Sequence, residues 1–349
     1  MVDAEKGETG GIGGSESTVS SEDQKKSVRE RLAEKNKRLR MLRDRLEMKD
    51  REIDGLRTKL AGMEAGADIS GITPDNLVWI FGYGRTGSTW LTSIMQEIPA
   101  HTVWFEPCVG ELFGDYYYLR ARDGQRRGRH FILGLQRETW MNPMRSFVLA
   151  VADARFPELV SGGYLIIKEP YGSIGAPLLM EAFPESRMIL LVRDPRDMVA
   201  SALDAYKKGN WAFEHTHKDG QEEAALATEQ PDAFVKMKAG KYLRHIVYAK
   251  RAYEAHEGPK TLIRYEDLRF DTLGTMKSVY SALEIPVNQG ELTRAVEKYA
   301  WESIPEGEKG PGRFYRKAKP GGWKEELTRE QIAIIEEITE PIIEELYRD

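Results

Sequence analysis

Apolar positions change period along this chain, and each change marks an element. Residues 1–24 are rich in Gly, Ser, Glu and Asp with almost no large apolar side chains, so burial cannot offset their ordering entropy and a disordered tail is predicted. From Lys25, Leu32, Leu39, Leu46, Ile53 and Leu60 recur every seven residues. Val28, Leu42, Leu56 and Met63 share the second seam position, which Lys35 and Lys49 interrupt. This heptad pattern predicts a coiled-coil helix over residues 25–63. Its stripe has no partner within the chain, so a homo-oligomer through residues 28–63 is expected, with oligomer number open. A Gly/Ala-rich linker over 64–74 leads to a globular domain over 75–349. There the pattern turns to short continuous apolar runs: Val78–Phe81, Thr102–Phe105, Tyr164–Lys168 and Arg187–Arg193. Such runs separated by helical periods predict an α/β fold, a parallel β-sheet flanked by helices.

The first run enters the most informative stretch, Leu77-Val-Trp-Ile-Phe-Gly-Tyr-Gly-Arg-Thr-Gly-Ser-Thr-Trp-Leu91. Three glycines break the strand before an apolar helical pattern at Leu91, Ile94, Met95 and Ile98. A strand, glycine loop and helix aim backbone N–H groups and a helix N-terminus at one spot, which suits an anion. Arg85, Ser88 and Thr89 add a cation and two hydroxyls, so a phosphate-type ligand is expected there.

Three motifs compete for this loop. Gly82-x-Gly84-x-x-Gly87 fits the dinucleotide fingerprint, with Glu106 roughly where a ribose-binding acid would fall. Against it, Arg85 inside the loop and Trp90 on the helix are foreign to that design. Gly82-x4-Gly87 fits the start of a nucleoside-triphosphate loop, but Ser88 stands where the phosphate-binding lysine belongs. The third, Gly-Arg-Thr-Gly-Ser-Thr-Trp-Leu (84–91), resembles the 5′-phosphosulfate loop of sulfotransferases.

Three later segments carry the same resemblance. The fourth run ends Arg193-Asp194-Pro195-Arg196-Asp197, with Asp194 as N-cap, proline at N1 and an acid at N3 of the next helix. Arg193 is thereby placed at the C-terminal edge of the sheet, where open α/β sheets bind ligands. Arg193-x7-Ser201 after a strand resembles the family's 3′-phosphate site. Phe314-Tyr-Arg316-Lys317-Ala-Lys-Pro-Gly-Gly-Trp323-Lys324 resembles its C-terminal nucleotide-covering loop, with Ala318 and Gly322 departing from the pattern. Thr261-Leu-Ile-Arg-Tyr265-Glu-Asp-Leu268 resembles its Tyr-Glu-Asp strand. The resemblance covers roughly residues 75 to 349.

The resemblance implies a P-loop-like sulfotransferase fold and an enzyme that uses 3′-phosphoadenosine 5′-phosphosulfate (PAPS) as co-substrate, without a metal. It implies donor contacts from Arg85, Thr86, Gly87, Ser88, Thr89, Trp90, Arg193, Ser201, Tyr265, Phe314, Arg316 and Lys317. In-line attack of an acceptor hydroxyl or amine on sulfur builds negative charge on the departing oxygen, and Arg85 and Lys168 are the candidate cations. The histidine base of the cytosolic small-molecule enzymes is absent. Arg85, Glu106 and Lys168-Glu-Pro resemble the tyrosylprotein and carbohydrate types, so Glu106 is the favoured base, with Glu169 the alternative. A base glutamate would need a raised pKa.

Composition bounds the rest. The chain has 349 residues, 41% hydrophobic content and a net charge of −5, enough for a large core and no sign of a nucleic-acid partner. A single cysteine, Cys108, excludes an internal disulfide framework, and no Cys/His cluster has zinc spacing. No apolar run is long enough to span a membrane, and no signal segment opens the chain, so a cytoplasmic protein is expected. The acceptor, a small molecule, carbohydrate or peptide, is not legible. Region 110–160 and the polar stretch 209–230, expected to be a lid or plain loop, would form its site. An NAD(P)-dependent oxidoreductase built on the glycine fingerprint, or a non-catalytic coiled-coil scaffold, are the competing functions.

Overall fold

The computed structural model describes Lys49 and residues 72–349, apart from 123–133, 135, 158, 160–162, 208, 213–217, 311, 314, 348 and 349. The predicted tail, the heptad helix except Lys49, Phe314 and the His215-x-His217 pair lie outside the described residues. Apart from Lys49, the described residues belong to the unit Ile69–Asp349.

Five strands form one parallel sheet: β1 (Leu77–Phe81), β2 (His101–Phe105), β3 (Tyr164–Lys168), β4 (Arg187–Val192) and β5 (Lys260–Arg264), in the order β2-β3-β1-β4-β5. Successive side chains of a strand point to opposite faces, and here both faces are buried. Leu77, Trp79 and Phe81 pack into one apolar layer with Leu165, Ile167, Leu190 and Val192. Val78 and Ile80 pack into the other with Ile166, Ile189, Leu191 and Ile263. The runs of β1, β3 and β4 are therefore near-continuously apolar rather than alternating, while the edge strands β2 and β5 are less buried and carry polar residues.

On the second layer lie α1 (Ser88–Gln96), α9 (Thr272–Ala282) and α10 (Gln289–Lys298). Leu91, Ile94 and Met95 of α1 face the sheet at helical spacing. The first layer is covered by α3 (Glu138–Arg155), α4 (Ala176–Ala182), α5 (Pro195–Tyr206), α7 (Pro231–Ala255) and α12 (Arg329–Leu346). Helix α2 (Val109–Gly114) runs into a π-helical segment, Asp115–Arg122. Two further helices are α6 (Lys218–Glu229) and α8 (Tyr265–Phe270), and a single turn, α11 (Trp323–Glu326), precedes α12.

Two sequence expectations change here. The stretch 209–230 is not only loop: its described second half is helix α6, which packs beside α7. The Tyr-Glu-Asp segment is not strand, because β5 ends at Arg264 and Tyr265 opens α8. Region 110–160 is mostly helical where described, with Tyr117 and Tyr118 stacked edge-on at 4.9 Å. The Asp194 cap behaves as read, accepting from the Arg196 N–H at 2.8 Å, and Thr328 and Gln331 form a reciprocal capping box on α12. Among the described residues no helix is long and apolar enough to cross a membrane.

Candidate active site

Strand β1 is central, and the chain leaves it towards β2 and β3 on one side and β4 and β5 on the other. A crevice forms at such a switch point, beyond the strand ends. The loop after β1 opens into it, and the residues that follow β3 and β4 flank it. The cleft encloses about 420 Å³.

Each glycine of the loop has its own reason. A Cβ at Gly82 would lie 2.4 Å from the Leu191 carbonyl oxygen, and one at Gly84 would lie 2.5 Å from the Tyr171 hydroxyl. Gly87 adopts φ +92°, and its Cβ would meet the Tyr265 ring at 2.6 Å. The loop is bolted below by Ser173, whose Oγ accepts from Gly82 N–H at 2.9 Å and donates to Gly82 O at 2.8 Å. Arg85 takes a left-handed φ of 70°, a strain commonly met at functional sites. Thr86 faces inward, fully buried, donating to Tyr83 O at 2.7 Å. Gly87 is the N-cap of α1 with no side chain capping it, so the helix end is open to the cleft where Ser88 and Thr89 line it.

Cations converge on that helix end. Arg85 Nε donates to Ser201 Oγ at 3.2 Å, and its guanidinium lies 5.0 Å from the Trp211 ring centre. Burial, with Arg193 beside it and Arg316 nearby, lowers its pKa to about 10, so it is still a cation at neutral pH. Arg193 is 8% exposed. Its Nη1 donates to Arg85 O at 2.9 Å, the Tyr265 ring lies 4.4 Å from the guanidinium, and its own carbonyl accepts from Tyr242 at 2.6 Å. Arg193 Nε is buried and has no hydrogen-bond partner among the described residues. A buried charged donor without an acceptor is costly, which marks a position for an anion.

The C-terminal loop closes over this point. Arg316 and Lys317 line the cleft, and both pair with Glu326, Lys317 at 2.7 Å. Asp197, fully buried on α5, accepts from Gly321 N–H at 2.6 Å and Trp323 N–H at 2.9 Å, tying the loop to the helix that carries Ser201. Burial raises its pKa, and Arg193 opposes that. Trp90 donates its Nε1–H to Tyr299 O at 2.8 Å and meets Tyr265 edge-on at 6.2 Å, so the tryptophan turns to the cleft rather than to the sheet.

On the other side stand Lys168 and Glu106. Lys168 Nζ donates to Glu106 Oε1 at 2.6 Å and Thr89 Oγ1 at 3.0 Å, and lies 3.7 Å from the Phe105 ring. Burial lowers the Lys168 pKa, and Glu106 works against this. Glu106 keeps 31% of its side chain exposed, to the cleft. Glu169 points elsewhere: it is 1% exposed and accepts from Val109 N–H at 2.7 Å, at the start of α2. Burial, helped by Glu106 and Glu111 and opposed by the Val109 and Gly110 N–H groups, raises its pKa to about 7.

The sequence reading named Arg85, Gly87, Ser88, Thr89, Trp90, Glu106, Lys168, Arg193, Ser201, Tyr265, Arg316 and Lys317, which the structure brings together around one cleft, and Thr86, which lies just beneath it. It missed Asp197 as the loop anchor, although that residue had been noted as the helix N3 acid. It also missed Tyr83, Tyr171, Tyr206, Trp211 and Lys238, which line the far half of the cleft. No local motif flags these, since they come from four separate segments. Among the described residues no group of His, Cys, Asp and Glu could hold a metal.

Comparison with known proteins gives a consistent picture. The model of the family described as "Sulfotransferase domain" matches residues 167–348, a span that holds Lys168, Arg193, Ser201, Tyr265 and the C-terminal loop. Cytosolic sulfotransferase 16 of Arabidopsis thaliana is 24% identical over 184 residues, 47% of this chain and 51% of that protein. The chain therefore matches only about half the length of the curated relatives it resembles. Among solved structures, mouse sulfotransferase SULT7A1 complexed with PAP superposes with a TM-score of 0.51 at 15% identity, covering 77% of this chain and 85% of that one. Sulfotransferase STF9 from Mycobacterium avium gives 0.50 at 14% identity, covering 83% and 81%. At such identities these structures bear on the fold alone.

Proposed function

This chain belongs to the Sulfotransferase domain family, and we propose that it moves the sulfuryl group from PAPS to a hydroxyl or amine of an acceptor. The observation that carries the reading is the orphaned, buried Arg193 Nε, set in a cleft with Arg85, Arg316 and Lys317. A nucleotide with phosphates at both its 3′ and 5′ positions would satisfy these cations and the open N-terminus of α1 together. Arg193, Ser201, Arg316 and Lys317 would hold the 3′-phosphate, and residues 85–89 the 5′-phosphosulfate. Tyr265 and Trp90 would flank the base, and Phe314 would join them.

Transfer then needs a base on one side of sulfur and a cation on the other. Glu106 accepts the proton as the acceptor oxygen bonds to sulfur, and the bond from sulfur to the 5′-phosphate oxygen breaks. Lys168, already between Glu106 and Thr89, donates to the departing oxygen, with Arg85 adding charge. Glu106 suits the base better than Glu169, because its carboxylate opens to the cleft while that of Glu169 is engaged by backbone N–H groups. The glycine fingerprint gives little to a dinucleotide, because Tyr265 closes over Gly87.

Calorimetric titration of the full chain with 3′-phosphoadenosine 5′-phosphate (PAP), NAD and ATP tests this. PAP should bind, Arg193→Ala should weaken it by about 10- to 100-fold for a lost charge-assisted phosphate contact, and NAD should not bind. NAD binding in place of PAP would overturn the reading.

A further inference from the structure

On the wall of the cleft that begins at Trp211, beside Arg85, one buried ammonium has donors to spare. Lys238 of α7 lines this wall with Tyr171, Tyr206 and Trp211, its side chain 8% exposed. Nζ donates to Glu223 Oε2 of α6 at 2.7 Å and lies 4.4 Å from the Tyr206 ring. An ammonium carries three N–H groups, and among the described residues Glu223 is the only acceptor that meets it.

Glu223 has little capacity left. Lys241 reaches its Oε1 at 2.6 Å, and the Tyr206 hydroxyl turns to the same carboxylate. Two ammonium groups against one carboxylate leave one positive charge over. The cluster can donate charge-assisted hydrogen bonds into the cleft, which suits an anion better than a neutral polyol. A single surplus charge matches a monoanion.

The Lys238 end is continuous with the transfer site. Tyr171 lies within electrostatic reach of both Glu106 and Glu223, and it meets Tyr83 edge-on at 6.0 Å. Between the two ends the walls are rings: Phe105, Tyr171 and Trp211.

We propose that Lys238 receives a monoanionic oxyacid group, a carboxylate or a sulfate ester, of an aromatic acceptor whose hydroxyl lies at Glu106 and Lys168. This rests on the sulfuryl-transfer reading above. Helix α6, from the stretch 209–230, carries Glu223, the carboxylate with which the acceptor's anion would share Lys238.

The test uses the full chain loaded with PAP, so that acceptor binding is read without turnover. The probes are 4-hydroxybenzoate, 4-hydroxyphenylacetate and 3-(4-hydroxyphenyl)propionate, each beside its neutral amide, with hydroquinone monosulfate to tell a sulfate-bearing acceptor from a carboxylate-bearing one. At least one anion should bind about 10-fold tighter than its neutral counterpart, and Lys238→Met should reduce that preference to within about 2-fold. Glu223→Gln, which removes the competing carboxylate and keeps the ammonium, should preserve or increase it. Equal binding of anions and amides throughout, or a preference that survives Lys238→Met, overturns the proposal. If Lys238→Met does not fold, loss of the preference in Glu223→Gln overturns it too. A chain that binds no PAP defeats the donor reading and this inference together; one that binds PAP and ignores acceptor charge defeats this inference alone.

Discussion

Replacing Asp197 by asparagine separates a loop anchor from a loop that merely happens to lie near the nucleotide. The carboxylate takes two backbone donors, Gly321 N–H at 2.6 Å and Trp323 N–H at 2.9 Å, and is fully buried. Hydrogen bonds to charged groups contribute about 1.5–3 kcal/mol each. Asparagine keeps one acceptor oxygen and sets an NH₂ group against the other N–H. One bond is lost and the second falls to neutral strength. Other tethers survive: Arg269 Nε donates to Ala318 O at 3.0 Å, and Arg196 sits 4.2 Å from the Trp323 ring. The loop therefore loosens without leaving. If about 1.5–3 kcal/mol of that tethering reaches the bound nucleotide through Arg316 and Lys317, the PAP dissociation constant rises about 10- to 100-fold. The assay is calorimetry with PAP beside the melting temperature of the unliganded protein. Melting temperature falls under either view, since a buried group has been altered. An Asp197→Asn chain that melts earlier yet binds PAP within about 2-fold of the parent refutes the reasoning, because the loop would then position nothing.

Two further outcomes follow from the carboxylates beside Lys168. Glu106→Gln should leave PAP binding intact and abolish turnover of any accepted acceptor in a labelled-sulfate assay; activity that survives transfers the base to another residue. Glu169 gives a stability prediction with a definite sign. Its folded pKa is raised from an ordinary 4.5 to about 7, so between those values the native state binds more protons than the unfolded one. Stability should therefore fall as pH rises from about 4.5 to about 7, by about 3 kcal/mol from this group. Glu169→Gln should flatten that part of a melting-temperature profile, and an unchanged profile would show that Glu169 does not titrate there.

How much of this was legible in the sequence follows the range of the forces involved. Strands β1, β3 and β4 could be read to within a residue or so because burial on both faces makes every position apolar. The caps at Asp194 and Thr328 were legible because a cap is a contact between neighbours in sequence. Arg85, Arg193 and Arg316 could be read as a group only because three separate motifs resembled one family; nothing local to Arg193 shows that its Nε would be orphaned. Residues such as Lys238 and Glu223 were invisible for the opposite reason. Their pairing joins two helices across a turn, and a lysine 15 positions from a glutamate has no periodic signature. Tyr265 was misread as strand because its segment is apolar enough for β5, while its side chain is needed at a helix start beneath Arg193.

Strand β2 is an edge strand, paired only with β3, and Glu106 follows directly from its end. Many of the donor contacts proposed above, by contrast, gather in the loops and helices that follow the central strands β1 and β4. On that reading the two substrates would rest on largely separate mechanical supports. Insertions and substitutions around α2, α3 and α6 can reshape the acceptor's surroundings while leaving every contact proposed for the nucleotide in place. For anyone redesigning this chain, the proposed reading draws the useful division between the centre of the sheet and its margin: the centre would dictate which group is transferred, and the margin what receives it.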